Sequence, residues 1–272
     1  MRLFFRKYGK GGTPLIIVHG LYGSGDNWVS IARDLSKDFE VYVIDQRNHG
    51  RSPHSSVHDY AAMRDDLKKL MDAEGIEQAV LMGHSMGGKT VMLFALEWPD
   101  RVLALISVDI APKSYHELAL QSHSTADHGK MIDAMLELEL AGLESREEID
   151  RALAPKIGSD RIRSFLLKNI RRDSKGGFSW RINLPALRDN LPKILDGPGS
   201  NVVAGGHGAK IPALFIAGER SDYIQAGDMS LIRGYFPLAQ LVTIPGAGHW
   251  LHAEKPALLL KNVQYFLDGI DT

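Results

Sequence analysis

The chain has no cysteine among its 272 residues. That absence excludes disulfides, thiolate nucleophiles and cysteine-ligated zinc, and it permits a reducing compartment without requiring one. An excess of charge of either sign is missing too: 32 Lys and Arg stand against 33 Asp and Glu, a formal net charge of −1. Such a balance exerts no global pull toward nucleic acid or an anionic membrane. Long hydrophobic runs are absent as well. The longest largely apolar stretch, residues 102–108, is far too short to span a bilayer. Near the amino terminus only Leu3-Phe4-Phe5 precedes the return of charge, too little for the core of a secretion signal. The expectation is a soluble, cytoplasmic protein. With 44% apolar and 24% charged residues the composition is that of an ordinary globular chain, long enough for one large domain or two modest ones.

What is present is concentrated in one stretch, Ala79-Val80-Leu81-Met82-Gly83-His84-Ser85-Met86-Gly87-Gly88-Lys89. An apolar run reading as a buried strand ends at Gly83, and a helical pattern starts just after Ser85. Gly83, Ser85 and Gly87 form a G-x-S-x-G elbow in its strand–turn–helix context. The turn is too sharp for side chains two residues either side of the serine, a demand that glycine meets. The bare pattern is weak; its flanks and partners give it weight. At the head of the helix, free N–H groups and the helix dipole favour negative charge beside Ser85.

The rest of the chain alternates strands and helices. Residues 2–8 read as an edge strand, and 15–18, 41–44, 102–110, 213–217 and 240–244 as further strands. Helical spacing joins Trp28, Ile31, Ala32 and Leu35, and again Tyr60, Met63, Leu67, Leu70 and Met71, stopped by Gly75. Helices are also expected around 226–236 and over 256–267. The class is α/β, a mostly parallel central sheet flanked by helices. Residues 112–208 break the rhythm with helical segments and no convincing core strand. Residues 131–143 carry an unusually wide apolar arc that includes an unexplained Glu139, Ser145 and Glu148 form a capping box, and Ile162, Phe165, Leu166 and Ile170 mark another helix. Glycine-rich 197–200 and 205–208 look like loop or hinge material. This region reads as a helical cap inserted into a core made of 1–111 and 209–272.

A serine hydroxyl is a weak nucleophile at neutral pH and needs a base within hydrogen-bond reach. In the elbow arrangement the base comes last, in the order Ser, acid, His. His249, in Pro245-Gly246-Ala247-Gly248-His249-Trp250, fits that place, while His252 more naturally caps or packs. The acid has two candidates. The usual position, three residues past Gly218, is Ser221, with Asp222 one residue late. Asp109 instead ends the strand beside the elbow, where an unpartnered carboxylate would be expensive to bury.

Residues 83–89, 45–52, 107–112 and 246–256 together resemble the α/β-hydrolase superfamily and, within it, the YbfF-type small serine esterases. The resemblance spans nearly the whole chain and is thinner across the cap. It implies Ser85, Asp109 and His249 as a catalytic triad, with Ser221 as a hydrogen-bonding helper. The chain departs from that subgroup in carrying Asp222, which keeps it as the rival acid. The oxyanion donors would be the backbone N–H groups of Met86 and Leu21. His19 reads as structural, and Asp45 and Arg47 as braces of the 45–52 loop.

The activity implied is hydrolysis of carboxylic esters through an acyl-enzyme, with acyl-coenzyme A thioesters as further substrates. Carbon–carbon bond hydrolysis, perhydrolysis, or a ligand-sensing module that keeps the site are the alternatives. Dehalogenase and epoxide-hydrolase chemistry would place an aspartate where Ser85 stands. No cofactor is expected: Gly9 to Gly12 lacks a phosphate-loop signature. Nor is a metal, since His54 and His58, or His123 and His128, show no ligand pattern and read as surface histidines.

Overall fold

The computed structural model describes residues 1–117, 128–172, 174, 176–197 and 208–270. In chain order its strands begin with β1 (Phe5–Tyr8), β2 (Thr13–Val18), β3 (Phe39–Ile44), β4 (Ala79–His84) and β5 (Val102–Val108). They continue with β6 (Ile170–Arg172), β7 (Phe178–Trp180), β8 (Ala213–Gly218) and β9 (Ala239–Ile244). Seven of these form one sheet in the order β1-β3-β2-β4-β5-β8-β9. β1 runs antiparallel to β3, and every other neighbouring pair is parallel.

The continuous apolar runs of β2 and β4 conceal a period of two. Ile16 and Val18 enter one hydrophobic cluster, Leu15 and Ile17 the cluster on the opposite face. Ala79 and Leu81 part from Val80 and Met82 in the same way. Each face is covered by helices. α1 (Val29–Leu35) lies on one face. α2 (Tyr60–Ala73) and α3 (Met86–Glu97) lie on the other. Burying a side chain of this size contributes about 1.5–3 kcal/mol, which is why the central strands tolerate no polar alternation.

Topology fixes where a ligand belongs. From β2 the chain moves to β3 on one side, and β4 then returns to pair with the other side of β2. Strand order therefore reverses between β2 and β4, and the crevice beyond their carboxyl ends is where an open α/β sheet takes its ligands. Val18 pairs with both Ile44 and Gly83, so the ends of β2, β3 and β4 are level.

Between β5 and β8 the described residues form α4 (His128–Leu136), α5 (Arg146–Leu153), α6 (Asp160–Leu166), α7 (Leu184–Asp189) and α8 (Leu191–Leu195). They share a third cluster, closed from the sheet side by Leu21, Tyr22, Met63 and Met86. After β8 come α9 (Asp228–Tyr235), α10 (Leu251–Glu254) and α11 (Pro256–Asp268).

The insertion departs from the sequence reading in several places. Its two short strands pair as an antiparallel hairpin, Ile170 with Trp180 and Arg172 with Phe178, apart from the main sheet. Ile170 is therefore a strand residue, and the helix expected to reach it stops at Leu166. α4 ends at Leu136, and the chain turns at Gly142, whose φ is +83°. Leu138, Leu140 and Leu143 still pack on the third cluster, but from a loop, which leaves Glu139 exposed rather than inside a helical arc. Ser145 accepts from Glu148 N at 3.1 Å, whereas the Glu148 carboxylate takes the N–H of Glu144, so the cap is displaced by one residue. β5 stops at Val108, two residues short of the expected end. The glycine-rich positions at 199 and 205–206, and His123, lie outside the described residues.

Candidate active site

Ser85 follows β4 at φ 52° and ψ −121°, a conformation that residues with a Cβ rarely adopt. The chain can make this turn because of its glycines. A Cβ on Gly83 would lie 2.3 Å from Gly87 O, and one on Gly87 would lie 2.2 Å from Val18 O. Ser85 N donates to Val108 O at 3.1 Å, tying the elbow to β5. The first intrahelical bond of α3 runs from Lys89 N to Ser85 O at 3.1 Å. The N–H groups of Met86, Gly87 and Gly88 precede it and have no acceptor within the helix.

Asp109 lies one residue past β5, fully buried, at φ 52°. Its N–H donates to Ile216 O at 2.8 Å. Oδ1 accepts from Gly218 N at 2.9 Å, and Oδ2 accepts from Ser221 Oγ and from His249 Nδ1, the latter at 2.7 Å. Three donors on two oxygens account for a carboxylate at zero exposure. His249 presents Nε2 to Ser85 Oγ at 3.1 Å. Three sequence-distant residues thus meet in one line of hydrogen bonds, and Ser221 completes it from the loop after β8. Asp222 is half-buried on that same loop.

Leu21 follows Gly20 in the turn after β2 and is buried against Met86. Its neighbour Tyr22 N gives to His49 Nε2 at 3.3 Å, and Gly23 N to Gly20 O at 3.0 Å. His19 is buried, with Nδ1 2.8 Å from Gly20 O and Nε2 accepting from Gln46 N at 3.0 Å. Asp45 accepts from Gly25 N and Arg51 N, while Arg47 reaches Asp66, Val57 O and Ala62 O. His252 is stacked on Trp28 with centroids 4.5 Å apart, and burial takes its pKa down to about 3.

Two of the histidines read as surface residues are not. His58 is fully buried, its Nδ1 3.2 Å from Asn48 Nδ2 and its Nε2 3.3 Å from Met86 Sδ. Half-buried His128 lines the site, with Nε2 3.1 Å from Tyr223 OH. His54 is exposed, and no cluster among the described residues is arranged to hold a metal ion.

Three residues of the site carried no distinct sequence signal as part of it. Tyr223 stacks on His249, and its phenol is held above its usual pKa by burial and then by Asp109. His84 touches the backbone of His249. Lys89 is 1% exposed, and burial pulls its ammonium from 10.5 down to about 7. Its Nζ donates to Leu195 O at 3.2 Å and to Asp196 O, and it lies 4.6 Å from the centroid of the Tyr115 ring. The available clue was a lone lysine two residues ahead of the apolar run 91–96.

Two small cavities flank Ser85. One, of about 20 Å³, is walled by Tyr60, Lys89, Tyr115, Ile194 and Tyr223. The other, of about 10 Å³, is walled by Met131, Ile162, Phe165, His249 and Trp250. Each has room for about one water.

Residues 13–256 match the family model described as alpha/beta hydrolase fold. The chain belongs to that family. It is 39% identical over 255 residues to the sn-1-specific diacylglycerol lipase ABHD11 of Mus musculus, covering 93% of this chain and 80% of that one. It is 36% identical over 256 residues to esterase YbfF of Escherichia coli K12, covering 94% and 93%. A solved structure titled "Marine microorganism esterase" superposes with a TM-score of 0.92 at 45% identity, covering 97% of this chain and 99% of that one. Among the described residues no helix is long and apolar enough to cross a membrane.

Proposed function

We propose that the chain hydrolyses short- to medium-chain carboxylic esters through an acyl-enzyme on Ser85, with His249 as base and Asp109 as its orienting acid. At the coarser level the family and its esterase relatives make it a carboxylesterase-like hydrolase acting on ester bonds. The observation that carries the finer reading is the unbroken path from Ser85 Oγ through His249 to the buried Asp109.

Ser85 Oγ attacks the acyl carbon as its proton passes to His249 Nε2. The tetrahedral oxyanion is received by the N–H groups of Met86 and Leu21, the former at the positive end of α3. His249 then protonates the leaving alkoxide, and the alcohol departs, leaving an ester on Ser85. Water attacks that ester with His249 again as base, releasing the acid and restoring the serine. Throughout, Asp109 fixes the tautomer with the proton on Nδ1 and stabilises the imidazolium. Residues 112–208 act as a cap over the core formed by 1–111 and 209–272, closing over the two sides of the serine. Acyl-coenzyme A thioesters offer the same acyl carbon and belong in the assay as a second substrate class.

The test is turnover of p-nitrophenyl butyrate, together with labelling by a fluorophosphonate. Wild type turns over the ester and takes one label on Ser85; Ser85→Ala does neither. Undiminished turnover by Ser85→Ala would overthrow the mechanism.

A further inference from the structure

His84 fills the variable position of the elbow, immediately before Ser85, yet its side chain serves a different part of the chain. The ring is buried, and its Nε2 lies 2.8 Å from the main-chain carbonyl of His249. A carbonyl only accepts, so Nε2 carries the hydrogen and Nδ1 does not. Burial and then the neighbouring His249 and His252 keep the ring's pKa well below its usual value, so it is a neutral donor. Its centroid lies 4.7 Å from that of His249, 4.8 Å from that of His252 and 6.2 Å from that of Trp28. On its remaining side Nδ1 faces Gly20, where an added Cβ would come within 2.8 Å.

The loop that carries His249 is anchored at its start, Gly246 N donating to Glu219 Oε2 at 2.7 Å and Ala247 O accepting from Arg220 N at 2.8 Å. It is glycine-rich, with Gly246 at φ 64°. Its residue 248 is held by one bond, from Gly248 N to Glu254 Oε2 at 2.8 Å. His84 holds the next carbonyl along, so the backbone of the base is gripped on both sides. Because residue 84 is covalently joined to the nucleophile, the same grip sets the spacing between nucleophile and base. A neutral donor suits this place. A lysine or arginine would add a cation against His249 and disfavour the imidazolium that catalysis forms.

We propose that His84 is a positioning residue. Its Nε2–H, bonded to the carbonyl of His249, sets the distance and angle at which the imidazole meets Ser85 Oγ. This rests on the reading of Ser85, His249 and Asp109 as a triad, and the controls below separate the two.

The variants are His84→Phe, which keeps a ring without a donor, His84→Gln, whose amide reaches the carbonyl, and His84→Asn, whose amide is shorter. On p-nitrophenyl butyrate His84→Phe lowers kcat on the order of 10²-fold with KM within about twofold, the scale of a small misplacement of reacting groups. His84→Gln recovers most of kcat and His84→Asn does not. The downfield proton resonance of His249 Nδ1–H broadens or shifts in His84→Phe and stays put in Ser85→Ala. If His84→Phe fails to fold, the Gln–Asn pair decides, and equal kcat for the two overturns the proposal. Wild-type kcat and an unmoved resonance in folded His84→Phe, with Ser85→Ala dead, also overturn it and leave the triad intact. Activity in Ser85→Ala removes the triad reading and this proposal with it.

Discussion

The ring of Tyr223 lies flat on the imidazole of His249, with centroids 3.9 Å apart and planes 15° from parallel. A ring so placed limits rotation of the base about its own side-chain bond, and its hydroxyl is itself held 3.1 Å from His128 Nε2. Stacked aromatic pairs contribute about 0.5–1.5 kcal/mol beyond the area they bury. Tyr223→Ala should therefore lower kcat by a few-fold to about tenfold, and Tyr223→Phe, which keeps the stack, should stay within about twofold. Steady-state kinetics on a chromogenic ester compares the two. Equal losses in both would assign the effect to the hydroxyl instead.

Asp109 and Asp222 are separated by their surroundings. The first is buried and takes three hydrogen bonds, one of them from His249 Nδ1; the second is half-buried on the loop after β8. Asp109→Asn should leave the fold in place but reverse the tautomer preference of His249, with a loss of about 10⁴ in kcat. Asp222→Ala should stay within about twofold. Ser221→Ala removes one of the three donors on Asp109 and should cost about tenfold or more, since a hydrogen bond to a charged group is worth about 1.5–3 kcal/mol. Measuring kcat for the three variants in parallel checks the ranking, and an Asp222→Ala loss larger than that of Asp109→Asn contradicts it.

Buried imidazoles make the fold sensitive to acid. Burial lowers His19 to about 4, His49 and His252 to about 3, and His58 to about 2, against an ordinary value of 6.5. Between 6.5 and each lowered value the unfolded chain binds more protons than the folded one. Stability is then fully present above 6.5 and falls as the pH drops below it, by about 1.4 kcal/mol per pH unit for each imidazole. The melting temperature should fall steeply from pH 6.5 toward about 4, and less steeply in His58→Phe relative to its own neutral value. A melting temperature that stays flat over this range would contradict the assignment of these rings as neutral.

How much of this was legible in the sequence follows from range. The sheet was legible because β2 and β4, buried on both faces, leave continuous apolar runs. The elbow was legible because its glycines answer a steric demand within five residues. The β6–β7 hairpin was not, since strands of three residues, two of them exposed arginines in β6, carry no readable period. The burial of His58 was hidden because Met86, one of its partners, lies 28 residues away. The bond from His84 to His249 spans 165 residues, and no local pattern announces it. Local chemistry marked the nucleophile and long-range packing assembled its surroundings.

Lys89 gives a prediction of the same sign as the histidines, in a higher pH window. Its Nζ meets the carbonyls of Leu195 and Asp196 at the end of α8, where a cation opposes the negative end of the helix, and Tyr60 OH takes the preceding carbonyl of Ile194 at 2.6 Å. Lys89→Met preserves volume but leaves those carbonyls unpaired, which should destabilise the chain by about 1–3 kcal/mol. The pH dependence isolates the charge. Burial lowers the ammonium from 10.5 to about 7, so between those values the unfolded chain holds a proton that the folded chain has released. Wild-type stability should therefore gain about 1.4 kcal/mol per pH unit from this residue as pH rises above 7, whereas Lys89→Met lacks the gain. The difference between the two unfolding free energies, measured by urea at successive pH values from 7 upward, reads that gain directly. A difference that does not change with pH would mean that the buried ammonium keeps its proton throughout.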